Sequence, residues 1–217
     1  MTLSPHWQDA FVHYLKTRPP LPGVKAHDLV SPKGRPRADE IDKLNIRPRL
    51  SAVAVVIERY QPSAYRIILI KRSEYAGVHS AQISFPGGQR DRDEVLLQTS
   101  LRELHEELGI RLSPSQLLTP LTELYIPPSN FLMYPFAFLC EDTNKCFPDP
   151  SEVSDVLYLP LQRLSEEQCF EYNEVTIRGF KTQVKGLMLQ NNFIWGATSM
   201  VLAEIHYLVK AFTKTGF

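Results

Sequence analysis

The apolar positions of this chain fall into two kinds of run. Ala52–Ile57 (AVAVVI) and Ile67–Ile70 (IILI) are short, continuous and rich in β-branched residues, which predicts strands buried on both faces. Gln61-Pro62-Ser63 lies between them and supplies turn chemistry, so the two are expected to form a hairpin. Leu121–Tyr125, Phe131–Leu139 and Val153–Leu159 are further strand candidates. Other apolar residues recur at helical spacing. Trp7, Phe11, Tyr14 and Leu15 predict a short amphipathic helix that Pro19, Pro20 and Pro22 stop. Met200, Val201, Ile205, Leu208 and Phe212 mark a C-terminal helix over Thr198–Phe212. Leu97, Leu101, Leu104 and Leu108 form a narrow stripe on a third helix, with Asp93 as its N-cap and Gly109 as a left-handed stop. Strands mixed with a few helices, without regular βαβ alternation or repeats, predict an α/β or α+β domain around a mixed β-sheet.

Composition narrows the class of protein without naming a partner. The chain has 217 residues, 43% apolar and 22% charged, enough for one domain with a core of its own. Lys plus Arg and Asp plus Glu are both 24, so no global field favours nucleic acid or an anionic membrane. Three cysteines (Cys140, Cys146, Cys169) without CxxC spacing argue against a disulfide framework or structural zinc. The N-terminus forms no signal-peptide core and no apolar run approaches a membrane span, so a cytoplasmic location is expected. Residues 1–45 read as a helix and Pro-rich arm, and 46–217 as the main domain. The first 49 residues hold nine Lys/Arg against five Asp/Glu. This mild excess reads either as a solvated arm or as Lys33, Arg35 or Arg37 held ready for an anionic ligand.

Chemistry concentrates on the leucine-striped helix. Glu103, Glu106 and Glu107 sit at i, i+3 and i+4, about 140° around the axis from the leucines. Three like charges one turn apart repel, and they make sense around a hard divalent cation, which takes oxygen ligands. Gly87-Gly88 before the helix allows backbone to approach such a ligand closely.

These residues carry a resemblance. Gly88, then Glu94 after five residues, then Arg102-Glu103-Leu104-His105-Glu106-Glu107-Leu108-Gly109-Ile110 after seven more is similar to the complete 23-residue box of the Nudix hydrolases. That family implies a Nudix-type α/β/α sandwich, Mg²⁺ or Mn²⁺ as cofactor, and cleavage of nucleoside diphosphates linked to another moiety. By the resemblance, Glu103, Glu106 and Glu107 bind metal with the Gly87 carbonyl, Arg102 orients the glutamates, and Glu94 supports the loop or the metal shell. Lys71-Arg72-Ser73 with His79-Ser80-Ala81-Gln82-Ile83-Ser84-Phe85-Pro86 resembles the coenzyme A pyrophosphatase branch. Tyr125-Ile126-Pro127-Pro128-Ser129 and Ile194-Trp195-Gly196-Ala197-Thr198 are similar to segments of that branch too, so the likeness runs from about residue 50 to 205. Gly77 and Ala81 depart from it, standing where Arg and Gly are usual, and the loop from Gly88 to Arg102 is one residue shorter than is common there.

The resemblance implies hydrolysis of coenzyme A or acyl-coenzyme A to 3′,5′-ADP and 4′-phosphopantetheine or its acyl form. Arg72, Lys71, His79 and Gln82 are the candidates for contacting substrate. The general base is one of the glutamates or a loop acid, with Glu152 the candidate and Asp149 and Asp155 its rivals. Trp195 and Tyr134 read as core residues rather than base-stacking ones, and Phe85 and Pro86 as packing under the glycine turn. The alternatives are ADP-ribose or a dinucleotide as substrate, or a non-catalytic nucleotide sensor. The partner expected is a small-molecule nucleotide, with no nucleic acid and no membrane, and a homodimer left open.

Overall fold

A computed structural model of the protein describes residues 4, 6–73, 82–141, 146–177 and 179–214. The N-terminal part holds helix α1 (Trp7–Lys16), the short α2 (Val24–His27) and then strand β1 (Arg49–Gln61). Strands β2 (Ala64–Arg72), β3 (Ile83–Ser84) and β4 (Gly87–Gln89) lead into helix α3 (Leu96–Leu108). Strands β5 (Leu117–Pro120), β6 (Leu124–Ile126), β7 (Phe131–Cys140) and β8 (Val153–Pro160) complete the main sheet. A hairpin of β9 (Glu171–Ile177) and β10 (Phe180–Leu189) with β11 (Asn192–Ile194) precedes the C-terminal helix α4 (Ala197–Lys214).

The main sheet is mixed. Its spine runs β3-β2-β1-β7-β5, with β4 beside β1, β6 beside β7 and β8 beside β2. β1 runs parallel to β7, and the other pairings in the sheet are antiparallel. The β-branched run in β1 is buried on both sides because alternate residues enter two cores. Val53, Val55 and Ile57 pack with α1 and α4, while Ala54 and Val56 pack with Leu104 and Leu108 of α3. Helices on both faces make the α/β/α sandwich.

Three details differ from the sequence expectations. Of the candidate strand Leu121–Tyr125 only Leu124 and Tyr125 are in a strand, β6, and β5 ends before the candidate begins, at Pro120. Both lie along β7, whose Pro135 has no N–H to continue a ladder; the Leu121 N–H bonds the Pro135 carbonyl at 2.9 Å instead. Helix α3 begins at Leu96 with Val95 at its N-cap, because Asp93 takes a left-handed turn (φ +65°) and cannot serve there. The arm is less solvated than its charge predicts: Ala26, Val30 and Ile41 are buried. Helix α1 enters the main core, with Phe11 against Phe212 at 5.8 Å between ring centroids.

A buried ion pair ties β1 to β2. Glu58 is buried and accepts both arms of the Arg66 guanidinium, which lies 3.7 Å from the Tyr158 ring centroid. Arg66→Ala is expected to destabilise the protein by about 3 kcal/mol, because it strands an uncompensated buried carboxylate. Denaturant unfolding of the two proteins measures this; a difference below about 1 kcal/mol would show that the Glu58 carboxylate finds another partner.

Candidate active site

Helix α3 lies under β4, and the contact between them is made through glycine. An ideal Cβ on Gly88 would stand 2.5 Å from all three carboxyl atoms of Glu103, so the missing side chain is the opening through which Glu103 reaches across the sheet edge. Gly87 has φ +155° and no room for a Cβ, which would lie 2.4 Å from the Ala52 carbonyl oxygen. Its N–H donates to Glu107 Oε2 at 2.8 Å, fixing that carboxylate beneath the turn. Phe85 and Pro86 are buried under the turn, as expected from the sequence.

The three glutamates sit at different depths. Side-chain exposure is 1% for Glu107, 14% for Glu103 and 53% for Glu106. Arg102 gathers the cluster: its guanidinium meets Glu94 at 3.1 Å, Glu103 at 2.9 Å and Glu106 at 2.8 Å, and donates to the Gln89 carbonyl at 3.2 Å. This holds the arginine firmly in its charged form. Burial works to raise the Glu94 pKa, but hydrogen bonds from Arg102 and Thr99 outweigh it and hold the group below the usual carboxylate range. Burial raises Glu103, and raises Glu107 further, to about 7, with Arg72 and the Gly87 N–H pulling the other way.

Arg72 ends β2 on the α3 face. It donates to the Gly87 carbonyl at 2.7 Å and lies 3.0 Å from Glu107 Oε1. Strand alternation puts Ile67 and Leu69 in the α1–α4 core and Ile68 and Ile70 in the α3 core, and the pairing of β2 with β8 shifts register between Lys71 and Arg72. Gln82 meets Arg72 through the backbone, accepting its N–H at 3.0 Å. His79 lies outside the described residues. Glu152 is exposed at the start of β8, near enough to Glu103 and Glu107 to raise both. Its rivals are engaged elsewhere. The Asp149 carboxylate accepts from the Ser151 N–H and hydroxyl, and the Asp155 carboxylate from the Val156 N–H.

The donor set fits a divalent cation. Glu103, Glu107 and the Gly87 carbonyl offer oxygen, the chemistry hard cations take. Glu107 Oε1 is buried without a hydrogen bond, meeting only the Arg72 guanidinium. That guanidinium spans Glu107 and the Gly87 carbonyl and stands in for a cation there. Among the described residues no three acidic, His or Cys side chains converge into a ready cage. Arg102 and Arg72 hold the carboxylates instead.

Beside these groups opens a cavity of about 1060 Å³. Its lining includes Glu103 and Arg72 with the Gly87-Gly88 turn, the apolar Ile83, Phe131 and Trp195, and Lys33 and Arg35 of the arm. The sequence reading missed two contributors. Trp195 is half-buried on the cavity wall rather than in the core, and Thr176 and Ile177 reach the cavity from a hairpin that was not predicted. Tyr134 is also only half-buried. Among the described residues no helix is long and apolar enough to cross a membrane.

A mixed sheet between helices, with a glycine turn presenting carboxylates from one helix, defines a candidate site for a hard cation and the chemistry it supports. Comparison with known proteins makes it specific. The NUDIX domain family model matches residues 48–178, and the chain belongs to the Nudix family. It is thereby a pyrophosphohydrolase of a family that generally uses divalent metal ions. A protein of Photorhabdus laumondii named "Uncharacterized Nudix hydrolase NudL" is 29% identical over 140 residues, 64% of this chain and 74% of its own length. The Yersinia pestis protein of the same name is 26% identical over 158 residues, 72% of this chain and 77% of its own. The crystal structure of a MutT/nudix family protein from Enterococcus faecalis matches with a TM-score of 0.50 at 13% identity, covering 99% of this chain and 75% of that one.

Proposed function

We propose that the protein hydrolyses the diphosphate of coenzyme A or acyl-coenzyme A, with Mg²⁺ or Mn²⁺, releasing 3′,5′-ADP and 4′-phosphopantetheine or its acyl form. The observation that carries this reading is the cavity. At about 1060 Å³ it is at the upper end of small-molecule sites, and Glu103 and Arg72 line it together with apolar side chains and the cationic Lys33 and Arg35 of the arm. A large ligand that carries more than one phosphate together with less polar parts matches that mix of surfaces.

Glu103, Glu106 and Glu107 with the Gly87 carbonyl are the proposed metal ligands. A divalent cation held there supplies neutralisation of diphosphate charge and activation of water near pH 7. Arg102 fixes Glu103 and Glu106 so that little reorganisation is needed when substrate arrives. Arg72, at the cavity edge beside Glu107, is placed to meet a phosphate oxygen. Glu152 is the proposed base, an exposed carboxylate beside the buried pair and not committed to a turn. Lys71, His79 and Gln82 complete the proposed substrate contacts, with Gln82 on the cavity wall.

A panel of coenzyme A, ADP-ribose and NADH, each with and without Mg²⁺ or Mn²⁺, tests the reading. Coenzyme A is expected to give the highest kcat/KM, and only with metal. An equal or higher value for either competitor would overturn the substrate assignment.

A further inference from the structure

The charged residues that line the cavity are segregated. Glu103 and Arg72 stand beside β4, whereas Lys33 and Arg35 come from the arm. Arg35 is anchored to β6: Nε and Nη2 donate to the Tyr125 carbonyl at 3.2 and 2.6 Å, and Nη1 approaches Met200 Sδ at 3.1 Å. The register places this anchor. Gly88 pairs with Ala52 of β1, β1 pairs with β7, and Leu132 of β7 pairs with Tyr125. Three interstrand spacings of ~4.8 Å put the β6 backbone about 14 Å from β4.

The charge on Arg35 has no evident internal purpose. Among the described residues no carboxylate lies within ion-pair distance of it, and its guanidinium contacts are to a neutral carbonyl and a thioether. Desolvation without a counter-ion is costly, and it pulls the guanidinium pKa down to about 10. A neutral donor would anchor the arm to Tyr125 without that cost. Of the five N–H groups a guanidinium carries, three are used by these contacts and one remains on each terminal nitrogen. The exposed Lys33, two residues away, adds a second positive charge to the same wall.

We propose that Arg35, supported by Lys33, binds a phosphate monoester carried by the substrate away from the diphosphate that is cleaved, and so sets the preference for nucleotides bearing that extra group. The proposal rests on the reading of the site as a diphosphate hydrolase. It adds the arm as a specificity element and makes Arg35 the counter-charge for a phosphate that is not itself cleaved.

The test compares coenzyme A with its 3′-dephospho form, two substrates that differ only in a phosphate monoester, on the full-length wild type, Arg35→Gln, Arg35→Lys and Lys33→Gln. The wild type is expected to lose at least about 10-fold in kcat/KM when the group is removed. Arg35→Gln should lose a similar factor on coenzyme A and little on the dephospho form, so that the ratio falls towards one. Arg35→Lys should restore part of the ratio, and Lys33→Gln should lower it modestly. Equal losses on both substrates in Arg35→Gln, with the ratio kept, would overturn the proposal and leave Arg35 as an arm anchor. Should Arg35→Gln not fold, an unchanged ratio in both Arg35→Lys and Lys33→Gln overturns it. A wild type that hydrolyses both substrates without preference removes the role of Arg35 but not the hydrolase reading. A wild type that hydrolyses neither removes both.

Discussion

Glu107→Gln is expected to lower metal-dependent kcat by at least about 10³-fold, close to 4 kcal/mol of transition-state stabilisation. Glu107 lies deepest among the three glutamates, locked by the Gly87 N–H on one oxygen and facing Arg72 with the other. Glutamine keeps the shape and can still accept from Gly87, but it removes the anionic oxygen that a cation would take. Steady-state assays with saturating Mg²⁺, alongside circular dichroism to establish folding, measure the effect. A folded variant within 10-fold of the wild type would contradict the placement of the metal site.

Gly88→Ala is expected to lose at least about 100-fold in activity while unfolding within a few degrees of the wild type. The added methyl would meet the end of a flexible side chain, the Glu103 carboxyl group at 2.5 Å, and that group must turn away to admit it. Displacement of a reacting group by about 1 Å is enough to cost such a factor. Gly87→Ala makes the informative contrast. Its Cβ would strike the backbone oxygen of Ala52 at 2.4 Å, so stability as well as activity should fall. Thermal melts and kcat for the two alanine variants separate the roles of neighbouring glycines. An active Gly88→Ala would show that Glu103 does not act through the opening.

The parts of this molecule legible in its sequence are those where local pattern and tertiary burial agree. Ala52–Ile57 and Ile67–Ile70 are buried on both faces, so a continuous apolar run reports them directly. The leucine stripe of α3 and the carboxylates opposite follow from helical period alone. β9 and the first half of β10 stayed hidden because that end of the hairpin stands off the core, whereas Leu187 and Leu189 of β10 are buried in it. β9 alternates between exposed and half-exposed residues, and Tyr172 and Phe180 are 71% and 76% exposed, so no apolar face advertises a strand. With the hairpin unseen, Thr176 and Ile177 could not be connected to the cavity. Spacing also could not show that Arg35 leaves a charged, Pro-rich arm to lie on Tyr125. These depend on which face of a long-range partner is available, and a linear pattern does not encode it.

The central claim is that the glutamates beneath Gly87-Gly88 form a metal-dependent site for cleaving a diphosphate. Its most direct test is to incubate the purified full-length protein with coenzyme A, with Mn²⁺ or with a chelator, and to identify the products by mass spectrometry. 3′,5′-ADP and 4′-phosphopantetheine are expected with Mn²⁺ and neither with the chelator. Cleavage that persists in the chelator, or removal of the 3′-phosphate with the diphosphate left intact, would contradict the account.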